Sequence, residues 1–109
     1  MGKKVTLPQL KKYDVTQKVL EMLADAESRV ILFSVIKTGK TAAELSQRHK
    51  IPLSSVYKKI SELEELSLIK VDKRQISDNG RKFKIYKSRI KQAEIIIKKP
   101  EPHLELLAN

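Results

Sequence analysis

An α+β fold, mostly helical, is what this chain of 109 residues predicts. Three observations carry that expectation. Thr41 to Ile69 reads as two short helices joined by a tight turn. A basic, alternating segment follows at once, broken by the Asn79-Gly80 turn. Two further apolar runs, Ala93 to Ile97 and Leu104 to Leu107, flank Lys99-Pro100-Glu101-Pro102 and read as a second small hairpin. In this order the segments describe a winged helix-turn-helix: about four helices, a two-stranded wing and a small C-terminal hairpin. The expected organisation is a flexible basic arm over 1–12, the winged-helix domain over 13–89 and a C-terminal β extension over 90–109, a candidate for dimerisation.

Each element has a local cause. Lys3, Lys4, Lys11 and Lys12 lie in a stretch with little periodicity, which suggests a loose arm. Asp14-Val15-Thr16-Gln17 has capping-box spacing, and a first helix is expected from there to about Leu23. Ala24-Asp25-Ala26-Glu27 looks like a break and a new start, with acidic groups favoured by the helix dipole. A second helix over about Ala26 to Ile36 is apolar nearly all round and must be covered on several sides. Lys37-Thr38-Gly39-Lys40 is a turn, and Thr41-Ala42-Ala43-Glu44 is the best capping box in the chain, opening a third helix that ends near His49. Pro52 marks the next start. From Leu53 to Leu66, the residues Leu53, Val56, Ile60 and Leu63 fall within about 80° of arc, so one narrow face is expected to be buried. Alternation then takes over in Ile69, Val71, Phe83 and Ile85 around the turn Ser77-Asp78-Asn79-Gly80.

Composition narrows the function. There are no cysteines, which excludes disulfides, thiolate metal sites and a cysteine nucleophile, and makes a reducing cytoplasm the natural setting. No apolar run approaches the ~20 residues of a bilayer span, and the N-terminus has no secretion core, so no membrane role is expected. The net charge of +10 is uneven: residues 70–99 hold 11 basic groups against 3 acidic, while the last ten residues are net negative. A polyanion is the simplest partner, because each neutralised phosphate releases condensed counterions. His49 and His103 lack partners at metal-ligand spacing, no nucleophile–base constellation or phosphate loop exists, and the three glycines are scattered. Neither a metal, a cofactor nor an enzymatic activity is expected.

Several segments resemble the ArsR-type winged-helix regulators. Met22-Leu23-Ala24-Asp25-Ala26-Glu27-Ser28-Arg29-Val30-Ile31-Leu32 resembles that family's Leu-x-Asp-x-x-x-Arg-x-x-Ile-Leu segment, and Thr41-Ala42-Ala43-Glu44-Leu45-Ser46 resembles its Thr-x-x-Glu-Leu-Ala support helix. Val56 to Ile69 is similar to its recognition helix, and Gly80-Arg81-Lys82 to its wing. The likeness covers about residues 18–89. It implies a DNA-binding scaffold. Two departures stand out. Ser67 occupies the place of the glycine that usually follows the recognition helix, where a left-handed residue costs ~1–2 kcal/mol, which favours a differently shaped turn. The support helix Leu45-Ser46-Gln47-Arg48 carries none of the metal-sensing cysteines.

The expected function is that of a sequence-specific double-stranded DNA-binding transcriptional regulator, acting as a cytoplasmic, nucleoid-associated homodimer. In helix-turn-helix geometry the start of the second helix meets base edges and the wing meets backbone. The candidate recognition residues are Ser54, Ser55, Tyr57, Lys58, Lys59 and Ser61, with Lys59 nearer the edge of the buried face and assigned to phosphate. The candidate wing residues are Lys73, Arg74, Arg81, Lys82 and Lys84, expected to dominate affinity and salt dependence. Plainer roles compete with these. The serines could be solvated helix-start residues, and Tyr57 could pack on the support helix. Arg29, among apolar neighbours, is expected to form an intramolecular ion pair. Two alternatives belong to other classes: an architectural or RNA-associated protein that reads only backbone, and a protein-interaction winged helix within a larger complex.

Overall fold

The computed structural model describes the chain from Leu7 to Asn109, with side chains from Val15 onward. In chain order the elements are α1 (Leu7–Ala24), α2 (Ala26–Ser34), α3 (Ala42–His49), α4 (Leu53–Glu65), β1 (Ile69–Ile76), β2 (Lys82–Ser88), β3 (Ile90–Ile96) and β4 (His103–Ala108). The α+β winged-helix architecture is as the sequence indicates. Its first boundary is not. Lys3 and Lys4 of the expected arm lie outside the described residues, but from Leu7 the chain is already helical, two turns before the Asp14–Gln17 capping box. Gln, Leu and Lys are good helix formers without any apolar periodicity, and Pro8 sits in the first turn, where proline is tolerated.

Asp25 ends one helix and starts the next. Its backbone N–H donates to Glu21 O at 3.2 Å, and its own φ of −81° and ψ of 120° leave the helical region. The carboxylate then accepts from the Ser28 backbone N–H at 2.9 Å and the Ser28 hydroxyl at 2.7 Å, capping α2 and satisfying a buried serine. Arg29 closes the same corner by donating to Leu23 O at 2.6 Å. It serves the last turn of α1, where an ion pair was the expectation.

The core gathers Ile31, Leu32 and Val35 from α2, Leu45 from α3, and Val56, Ile60 and Leu63 from α4, with Val19 and Leu23 of α1 and Tyr86 of β2 around them. Leu53 does not join. It opens α4, with no preceding turn to shelter it, and is 43% exposed. The buried stripe therefore starts one turn later than the periodicity suggests.

β1 and β2 form an antiparallel pair, and the Lys40 backbone extends it on the far edge of β2 through Lys40 N to Tyr86 O (3.1 Å) and Tyr86 N to Lys40 O (2.8 Å). Gly39 is required here: a Cβ would stand 2.6 Å from Ile85 Cγ2 and 3.2 Å from Tyr86 O. The base of the wing is fixed to the helices by Ser88 N to Val35 O at 3.0 Å, and to the end of the α4 turn by Arg89 N to Leu68 O at 2.8 Å. β3 and β4 pair separately as the second hairpin.

The turn after α4 keeps the glycine-type shape despite Ser67. Ser67 has φ of 59°, and its N–H donates to Glu64 O at 2.9 Å while Leu68 N–H donates to Leu63 O at 2.9 Å. These are the two bonds of a left-handed helix C-cap, and Leu68 is buried alongside Leu63. Burial of Leu68 and Ile69 outweighs the backbone cost at Ser67. Ser67→Gly should accordingly stabilise the domain by roughly 0.5–1 kcal/mol and raise Tm by roughly 2–8 °C. Thermal unfolding followed by circular dichroism tests this, and an unchanged or lower Tm refutes it. Gly39→Ala, read in the same assay, should destabilise by about 1–3 kcal/mol through overpacking against β2.

Candidate nucleic-acid interface

The helix-turn-helix is set by two caps of opposite kind. Thr41 Oγ1 accepts from Glu44 N at 3.1 Å and Glu44 Oε1 accepts from Thr41 N at 2.9 Å, completing the capping box of α3. At the other end Lys50 takes φ of 55°, with Ile51 N donating to Ser46 O at 3.1 Å and Ser46 Oγ to Ile51 O at 2.6 Å. The chain thus reverses in a few residues. Pro52 precedes α4 without any side-chain cap, so the positive end of that helix carries no internal acceptor from its cap residue.

With Val56, Ile60 and Leu63 inward, α4 presents Ser54, Tyr57, Lys58 and Ser61 to solvent. Tyr57 is 52% exposed and is not buried against the support helix. Ser55 is half-buried and borders a hollow shared by Lys58, the α1–α2 corner and Glu62. Lys59 departs from its expected role. Its Nζ lies 2.8 Å from Asp25 Oδ2 and 3.8 Å from Glu27 Oε1, so its charge points back to the start of α2. The hydrogen bond from Lys59, followed by those from Ser28, holds the Asp25 carboxyl well below its ordinary value of 3.8, and the same bond raises the Lys59 ammonium. Asp25 thereby joins the end of α1, the cap of α2 and the middle of α4. Sequence reasoning recognised only its place at a helix start; its contact with Lys59 spans 34 residues and leaves no periodic trace.

The wing divides its cations between two faces. The register shifts between Val71 and Lys73, where Asp72 is the extra residue of a β-bulge. Directly paired residues share a face, so Ile69, Val71, Arg74 and Ile76 lie with Ser88, Tyr86, Lys84 and Lys82. Lys73 goes to the other side with Ile85, as do Phe83 and the pair Lys70 and Lys87. The even alternation read from the sequence put Ile69, Val71, Phe83 and Ile85 together. The bulge and the register separate them, and Tyr86, buried, is the true partner of Val71. A clue was present, because Val71 and Ile76 are out of phase for an unbroken strand.

Tyr86 marks the joint between wing and α4. Burial raises its phenol most, Glu64 and Tyr57 of α4 raise it further, and Arg74 of β1 opposes them. Tyr86 shares its wing face with Arg74, Lys84 and Lys82. At the tip Gly80 has φ of 81°, Ser77 N donates to Arg81 O at 2.8 Å and Gly80 N to Ser77 O at 2.8 Å. The Ser77 hydroxyl and Asn79 Oδ1 are hydrogen-bonded, and both accept from Arg81 N at 3.2 Å. Arg81 leaves this rigid turn with its side chain exposed. Outward Ser and Lys groups on α4, beside a row of wing cations, are able to donate to base edges and phosphates respectively.

The fold is similar to the crystal structure of NolR from Sinorhizobium fredii, with a TM-score of 0.59 at 15% sequence identity over 80% of this chain and 81% of that chain. The likeness establishes the winged-helix fold. No family model matches the sequence, and the search of curated proteins found no match. No helix among the described residues is long and apolar enough to cross a membrane.

The Asp25–Lys59 pair has side chains 42% and 21% exposed, so solvent screens it and a coupling of about 0.5–1 kcal/mol is expected. A double-mutant cycle of Asp25→Asn and Lys59→Met in urea unfolding measures it. Because the Asp25 carboxyl is depressed on folding, its contribution is present above pH 3.8 and lost as pH falls below that value. A Lys59→Met variant of unchanged stability, with the salt slope of DNA binding reduced by about one unit, would return Lys59 to the phosphate role.

Proposed function

We propose that the chain is a sequence-specific double-stranded DNA-binding transcriptional regulator of the ArsR-like winged-helix type, working as a homodimer on the nucleoid without metal or cofactor. One observation carries the reading. Tyr57, on the exposed side of α4 with Ser54, Lys58 and Ser61, acts together with Glu64 on the buried Tyr86, which shares its wing face with Arg74, Lys84 and Lys82. A helix narrow enough for a major groove and a basic ribbon beside it form one footprint.

Within that footprint the division of labour follows from chemistry. Lys58 and the serines are short or flexible donors at the start of α4 and discriminate between base edges; Ser55, half-buried, acts from the rim. Arg74, Arg81, Lys82 and Lys84 neutralise phosphates, which raises affinity for every sequence alike. Lys73, on the reverse face, contributes through longer-range attraction. Lys59 acts indirectly by holding α4 to the α1–α2 corner. Two copies related by a two-fold axis place their α4 helices about 34 Å apart on successive groove faces, which implies a pseudo-palindromic site. The fold likeness to NolR supports the winged-helix scaffold on which this reading rests.

Selection of bound duplexes from a random pool at stated ionic strength tests the proposal, and a pool that converges on no consensus argues against it. Arg81→Ala with Lys82→Ala should weaken binding to all duplexes and flatten the salt slope by roughly two units. Ser54→Ala, Ser55→Ala and Lys58→Ala together should instead change the selected sequence. Equal behaviour of the two sets would contradict the assigned roles.

A further inference from the structure

Lys70 and Lys87 lie on the wing face opposite Arg74, Lys84 and Lys82. Beside them, where the base of the wing meets the second hairpin, is a hollow of about 320 Å³ lined by Lys70, Asp72, Lys87, Ser88, Arg89 and Asn109. All six residues are polar, so the hollow disfavours an apolar ligand. Backbone bonds fix its walls. Lys70 stands directly opposite Lys87 in the register, Arg89 N–H donates to Leu68 O at 2.8 Å, and Asn109 N–H donates to Arg89 O at 2.9 Å. Asn109 Nδ2 closes the corner by donating to Ile36 O and Ser88 O, both at 2.9 Å. The cations gathered here are unmatched. Among the described residues, neither Lys70, Lys87 nor Arg89 has a side-chain hydrogen bond or ion pair. Asp72 pairs with none of them, and its Oδ2 reaches toward Gly39, 3.8 Å from where a Cβ there would stand. The two opposed lysines, about 5 Å apart at Cα, repel each other in the free protein. Lys87 is half-buried and cannot swing fully away.

We propose that this hollow binds a small phosphate-bearing ligand, with Lys70, Lys87 and Arg89 around the phosphoryl oxygens. Charge selects the class. Three cations less the one carboxylate of Asp72 leave a lining of +2, the complement of a phosphate monoester, which carries about −1.5 to −2 at pH 7. Chemistry divides the contacts: the arginine fork suits two oxygens at once, and the two ammonium groups act as point charges on the remainder. A bound dianion also turns the repulsion between the opposed lysines into a shared attraction. Size limits the ligand. The volume is at the low end of small-molecule sites and equals that of about ten waters, room for a phosphoryl group with a small organic residue. Duplex DNA is the other source of phosphate. A duplex laid on the Arg74 and Lys84 face leaves this hollow free on the opposite side. That separation rests on the DNA-binding reading above; the anion site does not.

Calorimetric titration of the full chain with inorganic phosphate, adenosine monophosphate and a sugar phosphate, at constant ionic strength, tests the site. Dissociation constants on the order of 0.1–1 mM are expected for a small open hollow, and saturating ligand should raise Tm. Tighter binding of either organic phosphate identifies an organic ligand, and equal binding of all three identifies the free ion; both support the site. Lys70→Gln with Lys87→Gln should weaken binding roughly tenfold or more. The same variant should keep the circular dichroism spectrum and unfold, without ligand, at an equal or higher temperature, because the opposed charges are gone. Its salt slope for duplex binding should match that of the wild type. A slope reduced by about two units would give the pair to the DNA backbone and overturn the proposal. Phosphate binding that survives the substitutions, or a rise in Tm equalled by chloride at the same ionic strength, would overturn it too. Phosphate binding without any duplex binding would leave the site standing and remove the recognition reading instead.

Discussion

Burial of Val56, Ile60 and Leu63 along one stripe of α4 is the constraint from which the rest follows. Those three side chains hold the helix against Ile31, Leu32 and Leu45, and by doing so they fix which of its other residues face outward. Each fully buried aliphatic contributes on the order of 1.5–3 kcal/mol, more than any single polar contact in the domain. Rotation of α4 by one residue would trade Val56 for Tyr57 in the core. Its polar side is therefore presented by default. Asp25 refines this arrangement, because a cap that also receives Lys59 ties the helix to a corner defined by two others.

The wing shows how a small irregularity governs charge. An unbroken strand would have put Lys73 on the face of Val71 and Arg74 on the other. The extra residue at Asp72 moves Arg74 to the face of Val71 and Tyr86, opposite Lys84, and leaves Lys73 behind. Like charges directly opposite one another, Arg74 against Lys84 and Lys70 against Lys87, are destabilising by a few tenths of a kcal/mol each. A sheet assembled for stability alone would not pair them.

Ser67 makes a related point about competing terms. A left-handed serine is strained, yet the turn it occupies places Leu68 and Ile69 in the core immediately before the wing begins. Burial of two large side chains exceeds the cost at one backbone position, so the shape persists where the local preference disfavours it. Leu53 shows the reverse: periodicity assigned it to the core, but a helix start has no earlier turn to cover it.

Much of this was legible from residues alone. The Thr41 capping box, Pro52, the spacing of Val56, Ile60 and Leu63, and the Asn79-Gly80 turn are local signals, since each depends on neighbours within about one helical turn or one hairpin loop. They determined the order of elements, the helix-turn-helix and the second hairpin. What the tertiary structure alone decided is relational: the Lys59–Asp25 contact, the bulge that puts Arg74 in place of Lys73 on the face of Val71, and the register that sets Ala93 against Leu106 and Ile95 against Leu104. These depend on register and on pairs far apart in the chain. A sequence records which side chains each element carries, but the face they share is set only when two elements lock against each other.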